Sequence, residues 1–210
     1  FVPALRFKAL TRFYDPVVRL TTRERRVKQA LVKAAEIPDG GTVLDLGCGT
    51  GTMTTWIKQQ HPNTRVIGLD LDPAILKMAR AKAERAGVEI EFIEASAVDM
   101  PLSDGSVDRV VSSLFFHHLL PDQKLQVMRE IFRIIATDGE VHISDWGRPS
   151  NGLMRGLFYF VQLLDGFVTT EDNVRGRLVE YMERAGARQY QEHAVFNTVL
   201  GTLRLIRANK

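Results

Sequence analysis

The sequence predicts an α/β fold: a doubly wound, mostly parallel sheet of seven strands with helices on both faces and an antiparallel C-terminal strand pair. Three observations predict it. Short β-rich runs alternate with stretches of helical periodicity through the middle of the chain, as they do where parallel strands are covered by helices. A glycine-rich turn directly follows the first apolar run and leads into a helix. Beyond that alternation the tail reads as two successive strands, about 189–196 and 198–206.

Each element has its own warrant. Thr21 and Glu24 have the spacing of a capping box and open a basic helix with Val27, Ala30, Leu31 and Ala34 on its inner face. Residues 42–46 form the first strand, and the glycine turn leads into a helix through Trp56 and Ile57 that Pro62 and Asn63 stop. Residues 65–69 form the second strand. Pro73 at a first helical position opens a helix that carries Ile75, Ala79, Ala83 and Ala86 on one face, that Asp72 caps and that Gly87 closes. Val88, Ile90 and Phe92 alternate with Glu89 and Glu91 in a third strand. Residues 107–114 are a fourth. A helix from Asp122 aligns Leu125, Met128, Phe132 and Ile135, Asp138-Gly139 ends that region, and 140–145 is the fifth strand. After Gly147 come an apolar, aromatic stretch over 153–167 and a helix over 173–185.

A chain of 210 residues, 45% hydrophobic and 25% charged, is one domain's worth of sequence and buries a core without disulfides. We divide it into an N-terminal helical cover (1–38), a ligand-binding core (40–145), a pocket or lid segment (146–170) and a C-terminal helix with two strands (171–210). No apolar run approaches the roughly 18–20 residues that cross a bilayer. The single cysteine, Cys48, makes no intrachain disulfide, and no charged-then-apolar leader opens the sequence, so the expectation is a cytoplasmic protein. A net charge of +3, with both signs mixed along the chain, gives no nucleic-acid tail.

The most informative run is Val43-Leu44-Asp45-Leu46-Gly47-Cys48-Gly49-Thr50-Gly51. A strand ends beside an acid, and three alternating glycines let the backbone approach a ligand that any Cβ would block. The dinucleotide fingerprint is G-x-G-x-x-G, but position 52 is Thr and the spacing here is G-x-G-x-G. A P-loop needs Gly-Lys-Ser/Thr, and no lysine lies between Lys33 and Lys58. Asp70 closes the second strand roughly twenty residues past the loop, where a carboxylate accepts from both hydroxyls of a ribose. Asp45 would repel a pyrophosphate and attract an ammonium or sulfonium. Together the acids and glycines favour a cationic nucleoside. Cys48 reads as a small residue filling the loop.

Asp45 to Gly51, Asp70 and the block Met100-Pro101-Leu102-Ser103-Asp104-Gly105-Ser106-Val107-Asp108 resemble the class I S-adenosylmethionine-dependent methyltransferases, closest to the ubiquinone/menaquinone C-methyltransferase-like small-molecule group. The resemblance runs motif by motif over roughly residues 11–145. It implies a Rossmann-like methyltransferase fold, S-adenosyl-L-methionine as cofactor and S-adenosyl-L-homocysteine as product. It places the methionine part of the cofactor on Asp45, Gly47, Cys48, Gly49, Thr50 and Gly51, the ribose on Asp70 and Leu71, and the adenine on Ser96 and Ala97. Where this chain has Ser96 the family often has Asp or Asn, so Asp99 is a second candidate for the adenine amino group. Ser113 would touch the cofactor, and Tyr14, in Tyr14-Asp15-Pro16, would cover it.

The fourth strand runs into Phe115-Phe116-His117-His118. In related enzymes this corner lies beside the transferable methyl, and a histidine there could take the acceptor's proton. Both His117 and His118 are candidates, with His117 preferred. His61, His142 and His193 are scattered, no His, Asp and Glu set has metal-ligand spacing, and no metal is expected. Methylation of DNA amino groups would carry an Asn/Asp-Pro-Pro-aromatic motif, and this chain has no Pro-Pro pair. Cytosine C5 methylation would need a nucleophilic cysteine outside the cofactor loop. The expected acceptor is therefore a small aromatic or apolar metabolite, such as a quinone precursor or a lipid-like molecule, walled in part by 153–167. The same apolar segment suits peripheral membrane contact or a homodimer surface. A methyltransferase-like domain that binds the cofactor without turnover is the alternative, and a nicotinamide-dependent oxidoreductase stands behind it.

Overall fold

Strand β1 (Thr42–Leu46) lies at the centre of the sheet because four of its five residues are apolar or drawn inward, and both of its edges are paired. The computed structural model describes residues 24–210. Helix α1 (Glu24–Ala34) precedes β1, and after it follow α2 (Thr52–Gln60), β2 (Arg65–Asp70), α3 (Pro73–Arg85), β3 (Glu91–Glu94) and β4 (Val107–Ser113). A short 3₁₀ turn, Phe116–His118, leads to α4 (Pro121–Ile134) and β5 (Ile135–Trp146). The chain ends with α5 (Gly152–Asp165), α6 (Phe167–Arg175), α7 (Leu178–Ala185), β6 (Gln189–Thr198) and β7 (Gly201–Asn209).

The seven strands lie in the order β3-β2-β1-β4-β5-β7-β6, the first five parallel and the last two antiparallel. The chain therefore runs outward from β1 to β3 and then crosses back to β4 on the other side of β1. That reversal opens a crevice at the carboxyl ends of β1 and β4, where open α/β sheets bind ligands. Residues alternate across the sheet. Leu44, Leu46, Ile67, Leu69 and Val110 pack on one face with α4 and α7, while Val43, Val66 and Val111 pack on the other with Leu31 and Ile57.

Three elements differ from the sequence reading, each for a local reason. Ile135 leaves the helical stripe and begins β5, where it pairs with Val107 before the register shifts, so the strand starts well before Glu140. The helix over 173–185 is two helices, because Gly176 adopts a left-handed φ of 74° between them. Val88 and Ile90 precede β3 rather than belonging to it. Asp72 does cap α3, accepting from the Ala74 and Ile75 N–H groups. Among the described residues no helix is long and apolar enough to cross a membrane.

Candidate active site

The loop after β1 is shaped by its glycines. Gly47, Gly49 and Gly51 all have left-handed φ, at 69°, 54° and 70°. A Cβ on Gly47 would stand 2.5 Å from the Phe115 ring, and one on Gly51 would stand 2.9 Å from the Ala79 Cβ. A Cβ on Gly49 would meet nothing within 4 Å, because that glycine faces an open cleft. The N–H groups of Gly47 and Cys48 donate to the Leu69 carbonyl, which fastens the loop to the end of β2. Asp70 completes the fastening. Its Oδ2 accepts from Gly49 N–H at 2.9 Å and its Oδ1 from Asp72 N–H at 3.1 Å.

Behind the loop, Asp45 is buried and accepts from Thr54 Oγ1 at 2.6 Å. Burial pushes its carboxyl up to about 6, with the Thr54 hydrogen bond opposing and Asp70 adding repulsion. Cys48 is buried, and its thiol is pushed far up by that burial and by Asp45 and Asp70, as suits a packing residue. Thr50 receives a hydrogen bond from the Lys82 ammonium, which also donates to Thr52.

A cavity of about 240 Å³ opens over this loop. Gly47, Gly49, Asp70, Leu71, Ser96 and Ala97 are among the residues that line it, so the fold brings these expected residues together. Asp45, Cys48, Thr50 and Gly51 shape the loop from behind instead of lining the cavity. Asp99 is exposed and off the wall, which leaves Ser96 as the residue at that position. Ser113 is also off the wall; its hydroxyl is buried with no hydrogen-bond partner among the described residues. Tyr14 lies outside the described residues.

The wall continues past Gly47 through Phe115, which packs against it, to Leu114, His118, Leu119 and Gln123. Leu114, directly after β4, has a φ of 56°, a strained conformation for a leucine that turns the chain sharply into the 3₁₀ turn. Asp145, at the carboxyl end of β5, holds that turn from beneath. Its Oδ2 accepts from the N–H groups of Phe115, Phe116 and His117 at 3.1, 2.7 and 3.3 Å. Its Oδ1 accepts from Trp146 N–H at 2.7 Å and lies 2.7 Å from His117 Nδ1.

The two histidines are thereby separated in role. His117 is buried behind the cavity wall, whereas His118 is on it, so of the two candidates it is His118, not the preferred His117, that the structure places at the cavity. Burial works to lower the pKa of His117, but the Asp145 and Asp165 carboxylates outweigh it and raise it. Burial likewise works to raise Asp145, which His117 and its backbone donors hold below the usual range. Burial and the neighbouring His117 lower His118 to about 3, so its imidazole is neutral at pH 7.

Asp145, Asp165 and Lys124 were not singled out in the sequence. Asp145 had a signal, since it ends a strand at the same edge of the sheet as Asp70. Asp165 is a lone acid closing an apolar helix. Lys124 sits on the inner face of α4, fully buried, and donates to the Thr169 carbonyl at 2.6 Å and Asn173 Oδ1 at 2.8 Å. Burial lowers its pKa to about 8, with Asp172 and Asp145 opposing. It ties α4 to α6, the helix behind the 3₁₀ turn.

Residues 43–139 match the family described as a methyltransferase domain. The chain is 34% identical over 158 residues to a demethylmenaquinone methyltransferase of Thermus thermophilus, a match that spans 75% of this chain and 68% of that protein. It is 29% identical over 204 residues to an uncharacterized methyltransferase of a Synechocystis species, across 94% of this chain and 92% of that one. The fold is similar to that of a SAM-dependent methyltransferase from Aquifex aeolicus, with a TM-score of 0.68 and 18% identity, covering 93% of this chain and 98% of the other. The residues of the cleft fit S-adenosylmethionine, the donor that the Aquifex protein's name carries. Gly49 leaves open the space a side chain would fill, and Asp70 keeps free acceptor capacity beyond its two backbone bonds. The paired charges of Asp45 and Asp70 beneath the loop suit a cation. Sequence, fold and site agree: the chain belongs to the class I S-adenosylmethionine-dependent methyltransferases of the ubiquinone/menaquinone C-methyltransferase-like group, and S-adenosyl-L-methionine is its cofactor.

Proposed function

We propose that this enzyme methylates a ring carbon of a hydroxylated, quinol-type aromatic acceptor. The observation that carries the reading is the stretch of cavity wall made by Leu114, Phe115 and Leu119 with two polar side chains, His118 and Gln123. A mostly apolar wall with a few polar groups is the pattern of a site for a flat, mostly apolar molecule with oxygens to orient. The Thermus relative, named as a demethylmenaquinone methyltransferase, supports the same acceptor class. So does α5, whose exposed Leu153, Phe160, Leu163 and Leu164 suit an acceptor that carries an apolar tail or sits at a lipid surface.

In this reading the glycine loop, Asp70 and Ser96 hold the donor, which supplies a methyl group already activated by sulfonium. Gly47 and Gly49 admit it by close backbone approach, and Asp70 accepts from the ribose hydroxyls. The remaining work of the chain is alignment and exclusion of water. His118 holds the acceptor's hydroxyl, and Asp145 fixes the turn that carries it. The test is incubation with radiolabelled S-adenosylmethionine and either a chemically reduced demethylated naphthoquinone, a catechol or a primary amine. Ring-methylated quinol as the main product supports the reading; label on the amine or catechol alone overturns it.

A further inference from the structure

Behind the cavity wall at His118 lies a cluster that methyl transfer as such does not require. His117, His118 and Asp165 each offer one ligand atom, and these three atoms lie within 4.8 Å of one another. They come from two places far apart in sequence, the 3₁₀ turn and the end of α5, so no motif spacing announces them.

The contacts within the cluster are unusual for a purely structural one. Asp145 accepts the Nδ1 proton of His117, which leaves Nε2 aimed at Asp165. The gap from Nε2 to Asp165 Oδ2 is 3.7 Å, longer than an N–H···O bond. It is close to the span of about 3.3–3.5 Å between two ligand atoms that share one tetrahedral ion at bonds of about 2.0–2.1 Å. The ring nitrogens of His118 make no hydrogen bond among the described residues, and its ring stands 3.9 Å from that of His117, centroid to centroid. A carboxylate on the far nitrogen of a histidine is the arrangement that fixes tautomer and orientation in metal-bound histidines.

We propose that His117 Nε2, a ring nitrogen of His118 and the Asp165 carboxylate bind a divalent transition-metal ion, with Asp145 as the positioning residue for His117. Two imidazoles and one carboxylate form a borderline donor set that suits zinc, cobalt or nickel better than magnesium or calcium. Three protein ligands leave a tetrahedral ion one open position. His118 lies on the cavity wall, and His117 and Asp165 stand behind it, so the ion would sit at the rear of that wall. Metal binding does not rest on the acceptor reading proposed above.

The test therefore reads metal binding without turnover. Chelator-stripped protein is titrated with Co²⁺, followed by its visible absorption, and with Zn²⁺ by calorimetry, while S-adenosylmethionine binding is measured in parallel. The expected result is one saturable site whose tetrahedral Co²⁺ band is lost, and whose Zn²⁺ affinity falls tenfold or more, in both His118→Ala and Asp165→Asn. Asp145→Asn should weaken Zn²⁺ about 10- to 100-fold, as loss of an outer-sphere carboxylate does. Circular dichroism and S-adenosylmethionine binding report that each variant is folded. Absence of a saturable site, or a site equally strong in both ligand variants, overturns the inference and leaves His117 as a protonated bridge between Asp145 and Asp165. Failure of the quinol assay with metal binding intact would remove only the acceptor reading.

Discussion

The two ends of the cleft are built in opposite ways. The donor end is made of backbone: three left-handed glycines, two N–H groups on the Leu69 carbonyl, and one carboxylate, Asp70, that holds two more N–H groups. All of it lies within one βαβ stretch. The acceptor side is held from behind by buried charge: Asp145 beneath the 3₁₀ turn, His117 between two aspartates and Lys124 anchoring α6, drawn from segments as far apart as residues 117 and 165. The difference teaches where each half is vulnerable. Backbone architecture tolerates loss of a side chain but not gain of one; a buried polar network responds the other way.

The largest effect should come from removing Asp145. Asp145→Ala would leave four backbone N–H groups and the His117 ring without their acceptor, most of them in the interior. Breaking a buried charged network in this way costs about 3–5 kcal/mol. Denaturant unfolding should show that loss, and a cost below about 1 kcal/mol, the scale of an ordinary single hydrogen bond, would mean the turn is held by something else.

Asp45 makes a counterexample inside the donor end. Its pKa is raised by burial to about 6 in the folded chain, so the folded state binds this proton more tightly than the unfolded state. Stability contributed by the group is therefore highest at low pH and declines as pH rises from about 4 through about 6, with the full deficit above that. Asp45→Asn keeps an acceptor for Thr54 and removes the charge. It should raise stability at pH 7.5 by about 2–3 kcal/mol, and the difference from the native protein should shrink toward pH 4. Equal stability of the two at pH 7.5 would show that Asp45 is not held against its burial cost.

Next in size is the ligand contact. Asp70→Ala should weaken S-adenosylmethionine by about 1.5–3 kcal/mol, the scale of lost charged hydrogen bonds. The smallest effects separate two glycines. Gly51→Ala places a Cβ 2.9 Å from Ala79 and should cost folding stability, whereas Gly49→Ala meets nothing but its own left-handed φ and should cost about 1–2 kcal/mol. Gly49→Ala should, however, lower cofactor affinity more than Gly51→Ala, because only Gly49 faces the cavity. Thermal unfolding and calorimetry of both variants would sharpen or break that contrast.

The same division decides what was legible in the sequence. The donor end was readable because its parts are consecutive: an apolar strand, an acid, alternating glycines and an acid at the next strand's end. Even there, periodicity did not reveal that Asp45 and Gly51 stand behind the cavity. The acceptor end was readable only as a location, the Phe115 to His118 corner. Which histidine faces the cleft depends on the left-handed turn at Leu114 and on Asp145 reaching up from β5, and neither leaves a local pattern. The start of β5 was misplaced because Ile135 satisfies the helical stripe as well as a buried strand position, and only its pairing with Val107 decides between them. Lys124 likewise looks like a solvated residue until Thr169 and Asn173 close over it.

Calorimetric titration of the native protein and Asp70→Ala with S-adenosylmethionine, S-adenosylhomocysteine and NAD tests the central claim most directly. The expected result is one-to-one binding of the first two ligands, none of NAD, and a similar loss of affinity for both on substitution, since the ribose contacts are common to them. Unchanged affinity in Asp70→Ala, or binding of NAD in preference to S-adenosylmethionine, would contradict it.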